Sequence, residues 1–179
     1  MLEPGQLAGL VTMAAEILDE ASGPFVAGHR ADSAVRKQGN DFATEVDLAI
    51  ERQVVAALTE RTGIGVHGEE FGGESLDSEL VWVLDPIDGT FNYAAGLPTA
   101  AILLGLLADG EPVLGLTWLP FMSQSFTSIV DGPVQCNGSD LGSLGTASLG
   151  ESIVGIGTFN IESRGRYPGR YRAKVLEGL

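Results

Sequence analysis

The sequence predicts a layered α+β fold, in which two long helices are followed by a largely antiparallel sheet. Two segments near the N-terminus carry apolar residues at helical intervals, and the segments after them alternate with turn signals. Helices that precede a run of strands, rather than alternating with them, are typical of α+β domains. We therefore expect the two helices to pack on the sheet.

Both predicted helices are identified by apolar residues at three- and four-residue intervals. The first should end near Gly23-Pro24, because glycine and proline both interrupt helices. The second should begin at Thr44, a residue type that accepts hydrogen bonds from the free N–H groups of a helix start. The apolar stripes are Leu7, Leu10, Val11, Ala14, Ile17 and Leu18 in the first helix, and Val46, Ala49, Ile50, Val54, Ala57 and Leu58 in the second.

The segments after the second helix are predicted to be strands. Residues 99–108 and 113–119 flank the dipeptide Asp109-Gly110, which favours a tight hairpin turn. Residues 124–130 end at another Asp-Gly pair and would return as a further antiparallel strand.

The loop-like run 138–150 marks a predicted domain boundary. Residues 1–148 would form the first domain, and residues 149–179 the start of a second α/β domain. In this second part, residues 152–157 look like a strand and residues 167–179 like the beginning of a helix. Because an unpaired strand and a single helix bury little surface, we expect the natural chain to continue further.

The most informative pattern lies in residues 81–93. Residues 81–84 are apolar on both alternating faces, which predicts a strand covered on both sides. Asp85 follows at the carboxyl end of this strand, where ligand sites of layered α/β proteins collect. Asp88 comes three residues later, so two carboxylates lie together at this end of the strand.

Pro86, Gly89 and Thr90 shape the turn around these carboxylates. Pro86 fixes φ and makes the exit from the strand rigid. Gly89 lets a ligand approach the backbone, and Thr90 would begin a short helix whose free N–H groups can bind an anion. The pattern favours a site for divalent metal and phosphate together, although the same residue types also form ordinary turns. An EF-hand calcium loop is excluded, because it needs acidic residues at alternate positions.

Two other segments add charged residues to this pattern. Glu69 and Glu70 follow a short β-like run, in a glycine-rich turn. Lys37 and Asp47 lie at the entry to the second helix. The helix dipole favours an acidic residue there, so Asp47 has either a role in the site or a purely structural role at the helix start. Lys37 either adds positive charge near a phosphate or is an ordinary solvated lysine.

Together these segments resemble the inositol monophosphatase family of magnesium-dependent sugar phosphatases, in its bacterial type. The matching pieces are Asp41-Phe-Ala-Thr-Glu-Val-Asp47, Gly68-Glu-Glu70 and Trp82-Val-Leu-Asp-Pro-Ile-Asp-Gly-Thr90, followed by Asn92. The resemblance covers nearly the whole chain. It implies the layered α/β sandwich of the sugar phosphatases and a homodimer.

The resemblance implies a site for two or three Mg²⁺ ions. Glu69, Asp85 and the backbone carbonyl of Ile87 would hold a first ion. Asp85 and Asp88 would contribute to a second. This expectation agrees with the chemistry of Mg²⁺, a hard ion that prefers oxygen ligands.

The resemblance also implies catalytic and substrate-binding roles. Asp47 would pair with Thr90 and help to orient the attacking water. Glu69 and Thr90 would direct this metal-activated water at phosphorus. The implied phosphate-binding residues are Asp88, Gly89 and Thr90, and the implied outer residues are Glu70 and Lys37.

The implied reaction is hydrolysis of a small phosphate monoester. The first candidate substrate is myo-inositol monophosphate, which would give inositol and phosphate. Histidinol phosphate, fructose 1,6-bisphosphate and adenosine 3′,5′-bisphosphate are alternative substrates. A second interpretation is a catalytically incomplete member that binds metal or a partner without turnover. This second interpretation is motivated by one difference from the family's pattern. The family's second domain contains a Trp-Asp motif, whereas Trp82 and Trp118 here precede Val83 and Leu119.

The composition limits the partners and the location. The net charge is −14, with 24 acidic and 10 basic residues, which argues against nucleic acid because its binding needs basic residues. The apolar run 100–108 is shorter than the about 20 residues that cross a bilayer. The N-terminus lacks the features of a secretory signal, and Cys136 stands alone without a disulfide partner. We therefore expect a cytoplasmic protein with a small-molecule substrate.

Overall fold

The structure of the chain is a computed structural model. It describes residues 2–29, 33–36, 42–142, 145–146 and 148–152. The chain divides into two compact units, Met1–Gly142 and Ser143–Leu179, and the α-helices and strands of the described residues all belong to the first unit. The predicted domains, 1–148 and 149–179, remain predictions. The strand and helix predicted for the second domain lie, apart from Ser152, outside the described residues.

The described part of the first unit consists of three α-helices and ten strands. The helices are α1 (Pro4–Ala27), α2 (Glu45–Thr62) and α3 (Thr90–Ala94). The strands are β1 (Ser33–Arg36), β2 (Phe42–Thr44), β3 (Gly65–Gly68), β4 (Gly72–Gly73), β5 (Leu80–Asp88), β6 (Ala101–Ala108), β7 (Glu111–Leu119), β8 (Gln124–Ile129), β9 (Gln135–Cys136) and β10 (Ser139–Asp140). None of these helices is both long and apolar enough to cross a membrane.

Eight strands form one sheet in the order β10-β9-β8-β7-β6-β5-β3-β4, and β1 pairs separately with β2. Within the larger sheet, β3 and β5 run parallel, and the other neighbouring strands run antiparallel. The predicted α+β fold, with two long helices and a largely antiparallel sheet, is confirmed.

Helix α1 buries the predicted apolar stripe but continues past its predicted end. Five of the six stripe residues are buried, and Val11 is half-buried. The helix does not stop near Gly23-Pro24, and Pro24 lies inside it. The reason is Phe25, which is fully buried and packs edge-on against Tyr93 with ring centroids 5.0 Å apart. This tertiary contact outweighs the local preference of the proline to end the helix.

Helix α2 begins where the sequence predicts. The Thr44 hydroxyl accepts hydrogen bonds from the N–H groups of Val46 and Asp47, at 3.2 and 3.3 Å. Gly63 follows the last turn in the left-handed conformation, with φ of 70°, and ends the helix. The predicted stripe is wrong at Ala49, which is exposed. The buried residues are Asp47, Ile50, Glu51, Val54 and Leu58, so two acids face inward.

The two long helices share one hydrophobic core with a face of the large sheet. Trp82 and Leu84 of β5 and Ile102 of β6 are buried in this core beside Phe25 of α1. The indole N–H of Trp82 also donates to the Thr62 hydroxyl at 3.2 Å, which ties the end of α2 to the middle of the sheet. The interior strand β5 is therefore held by both apolar contact and a hydrogen bond.

The opposite face of the sheet is less covered among the described residues. Val83, Leu103 and Phe126 line a groove of about 520 Å³ on this face. Val83 is half-buried, so the expectation of a strand covered on both sides is wrong at this position.

The hairpin between β6 and β7 turns at Asp109 and Gly110, as predicted. Their φ values are 52° and 80°. Positive φ at both central positions matches the type I′ turn, whose twist suits antiparallel strands.

Candidate functional site

The second half of β5 carries the predicted site. The strand does not end at Asp85 as predicted: it runs to Asp88, and its pairing with β6 shifts register between these two residues. Pro86 lies in this irregular stretch, where a missing N–H disturbs the ladder least. The parallel partner β3 ends at Gly68, opposite Leu84. The two carboxylates are thus carried by the bulged end of an otherwise regular strand.

The backbone after Asp85 is fixed by local hydrogen bonds. Asp85 Oδ1 accepts from the Ile87 N–H at 3.1 Å, and Thr90 Oγ1 donates to the Ile87 carbonyl at 3.0 Å. Gly89 has φ of 83°, and a Cβ there would lie 3.0 Å from the carbonyl oxygen of Thr99. Both the conformation and the close approach favour glycine at this turn.

Glu69 is brought to Asp85 by the parallel strands. Its N–H donates to the Leu84 carbonyl at 3.0 Å, which continues the pairing of β3 and β5 by one residue. The side chains of Glu69 and Asp85 share a hydrogen bond. Burial first, and then the charge and hydrogen bond of Glu69, raise the pKa of Asp85 from 3.8 to about 8. The charge of Asp88 adds to this rise in pKa.

These residues fit a hard divalent cation. Repulsion from the Glu69 carboxylate contributes to the raised pKa of Asp85, and a bound cation would relieve this repulsion. The carbonyl of Ile87 adds an oxygen of the kind that Mg²⁺ prefers. No three Asp, Glu, His or Cys side chains form a metal-holding group in the part of the chain that the structure describes. The carboxyl pair would therefore supply only part of a ligand set, which suits Mg²⁺ because this ion keeps several waters.

Asp47 lies at the start of α2 in a capping box with Thr44. Asp47 Oδ2 accepts hydrogen bonds from the Thr44 N–H, at 2.8 Å, and from the Thr44 hydroxyl. Both side chains are buried, so Asp47 has a structural role at the helix start. Burial and, after it, the charge of Asp47 raise the pKa of Tyr93. Asp47 therefore lies near α3, the helix that Thr90 begins.

Helix α3 is anchored to the rest of the first unit through Tyr93. The Tyr93 hydroxyl donates to the backbone carbonyl of Phe25, and the Tyr93 N–H donates to the Gly89 carbonyl at 3.0 Å. Asn92 Nδ2 donates to the Thr99 carbonyl at 3.0 Å. A helix of five residues is thus held at the site by contacts to α1 and to the segment before β6.

The sequence interpretation missed Glu51. This residue is fully buried on α2, and its carboxylate accepts hydrogen bonds from the N–H groups of Glu70 and Phe71. Glu70, which the resemblance places outside the metal ligands, is therefore held by its backbone. A signal was present, because Glu51 is an acid on the apolar stripe beside Ile50 and Val54, where charge is unusual.

The structure brings most of the predicted site residues to one end of β5. These residues are Glu69, Glu70, Asp85, Ile87, Asp88, Gly89 and Thr90. A direct pairing of Asp47 with Thr90 stays a prediction. Lys37 and Asp41 lie outside the described residues, so the role predicted for Lys37 also stays a prediction.

Two long helices on a largely antiparallel sheet, with paired carboxyl groups at a bulged strand end, define the class of layered α/β proteins to which this chain belongs. The sequence profile of the inositol monophosphatase family matches residues 6–177. The chain belongs to this family, as the resemblance indicated.

Two curated relatives are similar over almost the whole chain. Inositol-1-monophosphatase ImpA of Mycolicibacterium smegmatis is 73% identical over 178 residues, which is 99% of this chain and 64% of the relative. Probable inositol 1-monophosphatase ImpA of Mycobacterium tuberculosis is 64% identical over 173 residues, which is 97% of this chain and 64% of the relative. The chain thus spans 64% of the length of each relative.

A solved structure shows the same fold. Inositol monophosphatase II of Staphylococcus aureus aligns with a TM-score of 0.76 at 25% identity, covering 94% of this chain and 62% of that chain. The predicted α/β sandwich of the sugar-phosphatase type is confirmed by this likeness.

Proposed function

We propose that this protein is a Mg²⁺-dependent phosphatase that hydrolyses a small phosphate monoester. The observation that carries the proposal is the carboxyl pair of Glu69 and Asp85, which lies beside the Gly89-Thr90 turn. Such a pair would repel a phosphate dianion unless a cation were present, so the arrangement suits phosphate only together with metal. Membership of the inositol monophosphatase family supports the same reaction.

In this proposal the metal is held by oxygen atoms of β5 and of the turn after β3. Glu69, Asp85 and the Ile87 carbonyl would hold one Mg²⁺, and Asp85 and Asp88 would contribute to a second. The two or three bound ions would supply positive charge that stabilises the attacking and leaving oxygens and lowers the pKa of water.

The side chains around the metal would place the reactants. The Glu69 carboxylate would accept a hydrogen bond from the attacking water, and the Thr90 hydroxyl would fix its direction. Asp47, on α2, would support Thr90. The substrate phosphate would lie against Asp88, Gly89 and Thr90, with Glu70 and Lys37 further out.

For the substrate we propose myo-inositol monophosphate, because both curated relatives are named as inositol 1-monophosphatases, one of them as probable. Histidinol phosphate, fructose 1,6-bisphosphate and adenosine 3′,5′-bisphosphate are the alternatives, since the same carboxyl pair would serve any small phosphate ester. A homodimer, a cytoplasmic location and the absence of nucleic-acid and membrane partners remain predictions.

Because the 179-residue chain alone is expected to have poor activity, the test uses the purified protein at its natural length. It measures phosphate release from inositol 1-phosphate and from the three alternative esters, each with Mg²⁺ and with EDTA. We expect release that depends on Mg²⁺ and is fastest with inositol 1-phosphate. A different preferred ester would change the substrate but keep the reaction. No Mg²⁺-dependent release from any ester would refute the phosphatase.

The same samples separate the phosphatase from the second interpretation, a family member that binds metal or a partner without turnover. The readout is the melting temperature with and without Mg²⁺, because a ligand that binds the folded state raises it. A rise in melting temperature without phosphate release would favour metal binding alone.

A further inference from the structure

Glu51 is a buried acid that the proposed reaction does not use directly. Its side chain is fully buried on α2, one helical turn after Asp47. Its two carboxylate oxygens accept hydrogen bonds from the backbone N–H groups of Glu70 and Phe71, at 2.8 and 2.9 Å. A buried carboxylate is costly unless it is hydrogen-bonded, and these two bonds to one turn satisfy it. Glu51 thus attaches α2 to the turn between β3 and β4.

A second residue of α2 contacts the same turn. Arg52 places its guanidinium carbon 4.7 Å from the ring centroid of Phe71, which is a cation–π geometry. Glu51 therefore holds the backbone of the turn, and Arg52 holds one of its side chains.

Gly68 shows how closely the Glu51 carboxylate lies on the end of β3. A Cβ at position 68 would lie 2.0 Å from Glu51 Oε1 and 2.4 Å from Glu51 Cδ. Both distances are far below van der Waals contact, so any side chain at this position would displace the carboxylate. The need for glycine here comes from Glu51, because the φ of Gly68 is not among the positive values.

The turn held by Glu51 carries Glu69. The Glu69 side chain is exposed, so core packing does not fix its position. Its backbone is fixed on both sides instead: its own N–H donates to the Leu84 carbonyl, and the next two N–H groups donate to Glu51. The place from which Glu69 reaches Asp85 is therefore set by β5 and by Glu51.

We propose that Glu51 is a positioning residue: by holding the turn after β3, it sets the affinity of the Glu69–Asp85 pair for a divalent cation. This inference rests on the proposed Mg²⁺ site. Glu51 does not touch the cation or the substrate, and it acts only through the backbone that carries Glu69. Partners that orient metal ligands in this way commonly change metal affinity by about 10- to 100-fold when they are replaced.

The test compares Glu51→Gln with the wild-type protein. Glutamine keeps the size of the side chain, but its NH₂ group faces one of the two N–H donors and loses that hydrogen bond. We expect the dissociation constant for Mg²⁺, measured by titration calorimetry, to rise about 10- to 100-fold. The Mg²⁺ concentration for half-maximal phosphate release should rise equally, while kcat at saturating Mg²⁺ should largely recover.

Val54→Ala is the matched control. Val54 is also fully buried on α2, one turn further along, and it has no hydrogen bond to the turn. This variant should lose stability without a change in Mg²⁺ affinity. Gly68→Ala tests the same contact from the other side, because its new methyl group displaces the Glu51 carboxylate. It should weaken Mg²⁺ binding in the same direction, and it replaces Glu51→Gln if that variant does not fold.

The outcomes separate this inference from the proposed function. Equal Mg²⁺ affinities in the wild type, Glu51→Gln and Gly68→Ala would overturn the positioning role and leave the phosphatase standing. Weaker affinity in both variants but not in Val54→Ala would support it, even if the wild type released no phosphate. A wild-type protein that bound no divalent cation would overturn both.

Discussion

The two halves of β5 belong to one strand but differ in their strand pairing and in the side chains that they carry. Residues 81–84 pair with β3 on one side and with β6 on the other, in unbroken register. Residues 85–88 lie beyond the end of β3, and the register with β6 shifts between Asp85 and Asp88. The first half carries the fully buried Trp82, whereas the second half carries Asp85 and Asp88.

This difference shows how one strand can combine a rigid support with a charged site. The ending of β3 after Gly68 leaves room for the next residue, Glu69, to place a carboxyl group beside Asp85. The regular half helps to fix where the irregular half lies, and the buried Ile87 gives the irregular half its own contact with the hydrophobic core. We therefore expect substitutions of buried residues in the first half to reduce stability, and substitutions of the acidic residues in the second half to reduce function.

Trp82→Ala should have the largest effect. Trp82 is fully buried and its indole N–H donates to Thr62, so we expect a loss of about 3–5 kcal/mol in the free energy of unfolding. The measurement is urea denaturation, with Val83→Ala as the control on the half-buried face of the same strand. A loss of about 0.5 kcal/mol or less for Trp82→Ala, the level typical of surface substitutions, would contradict the difference between the two halves of β5.

Asp88→Asn should leave the fold intact and remove most of the turnover. Asp88 is exposed, so its substitution disturbs little packing, but it removes a proposed ligand of the second ion. We expect phosphate release with Mg²⁺ to fall by at least about 100-fold, as when a group that stabilises the transition state is lost. The control is Asp109→Asn, an exposed acid in the hairpin between β6 and β7. Turnover near that of the control would remove Asp88 from the site.

In the metal-free protein, ionisation of Asp85 should lower the free energy of unfolding as the pH rises. We expect this effect to be smaller than those of the two substitutions above. Its pKa is about 8 in the folded state against 3.8 ordinarily, so between these values the folded state keeps a proton that the unfolded state has lost. Stability from this group is therefore greatest below pH 3.8 and falls as the pH rises towards about 8.

The measurement for Asp85 is urea denaturation in EDTA at several pH values within this window. The asparagine of Asp85→Asn cannot ionise, so the free energy of unfolding of this variant should decline less as the pH rises. Added Mg²⁺ should oppose the decline in the wild-type protein, because the cation binds the ionised pair. Parallel pH profiles for wild type and variant would contradict the assignment.

Local signals in the sequence predicted some element ends well and others poorly. The start of α2 was predicted because Thr44 caps its own helix within three residues. The end of α1 was wrong because the last turn depends on Phe25 packing against Tyr93, far along the chain. The end of β5 was wrong because Pro86 is tolerated in a bulge whose position depends on β6.

The candidate site shows the same division between local and distant contacts. Asp85, Asp88 and Glu69 were found because they stand in short motifs whose spacing is visible in the sequence. Glu51 was missed because its partners, Glu70 and Phe71, lie 19 and 20 residues further along the chain, on a turn that follows β3. An acid on a buried helical stripe is the signal that sequence reasoning could have used.

The close approach of Glu51 to Gly68 should also limit which substitutions the two positions accept during evolution. A gene that acquired a larger residue at position 68 would displace the acidic side chain at position 51 from the turn, because both cannot occupy the same volume. A gene that lost the acid first would leave two amide groups of the turn without their acceptor. Either order passes through a weakened protein, so descendants of this sequence should keep or exchange the two residues as a pair.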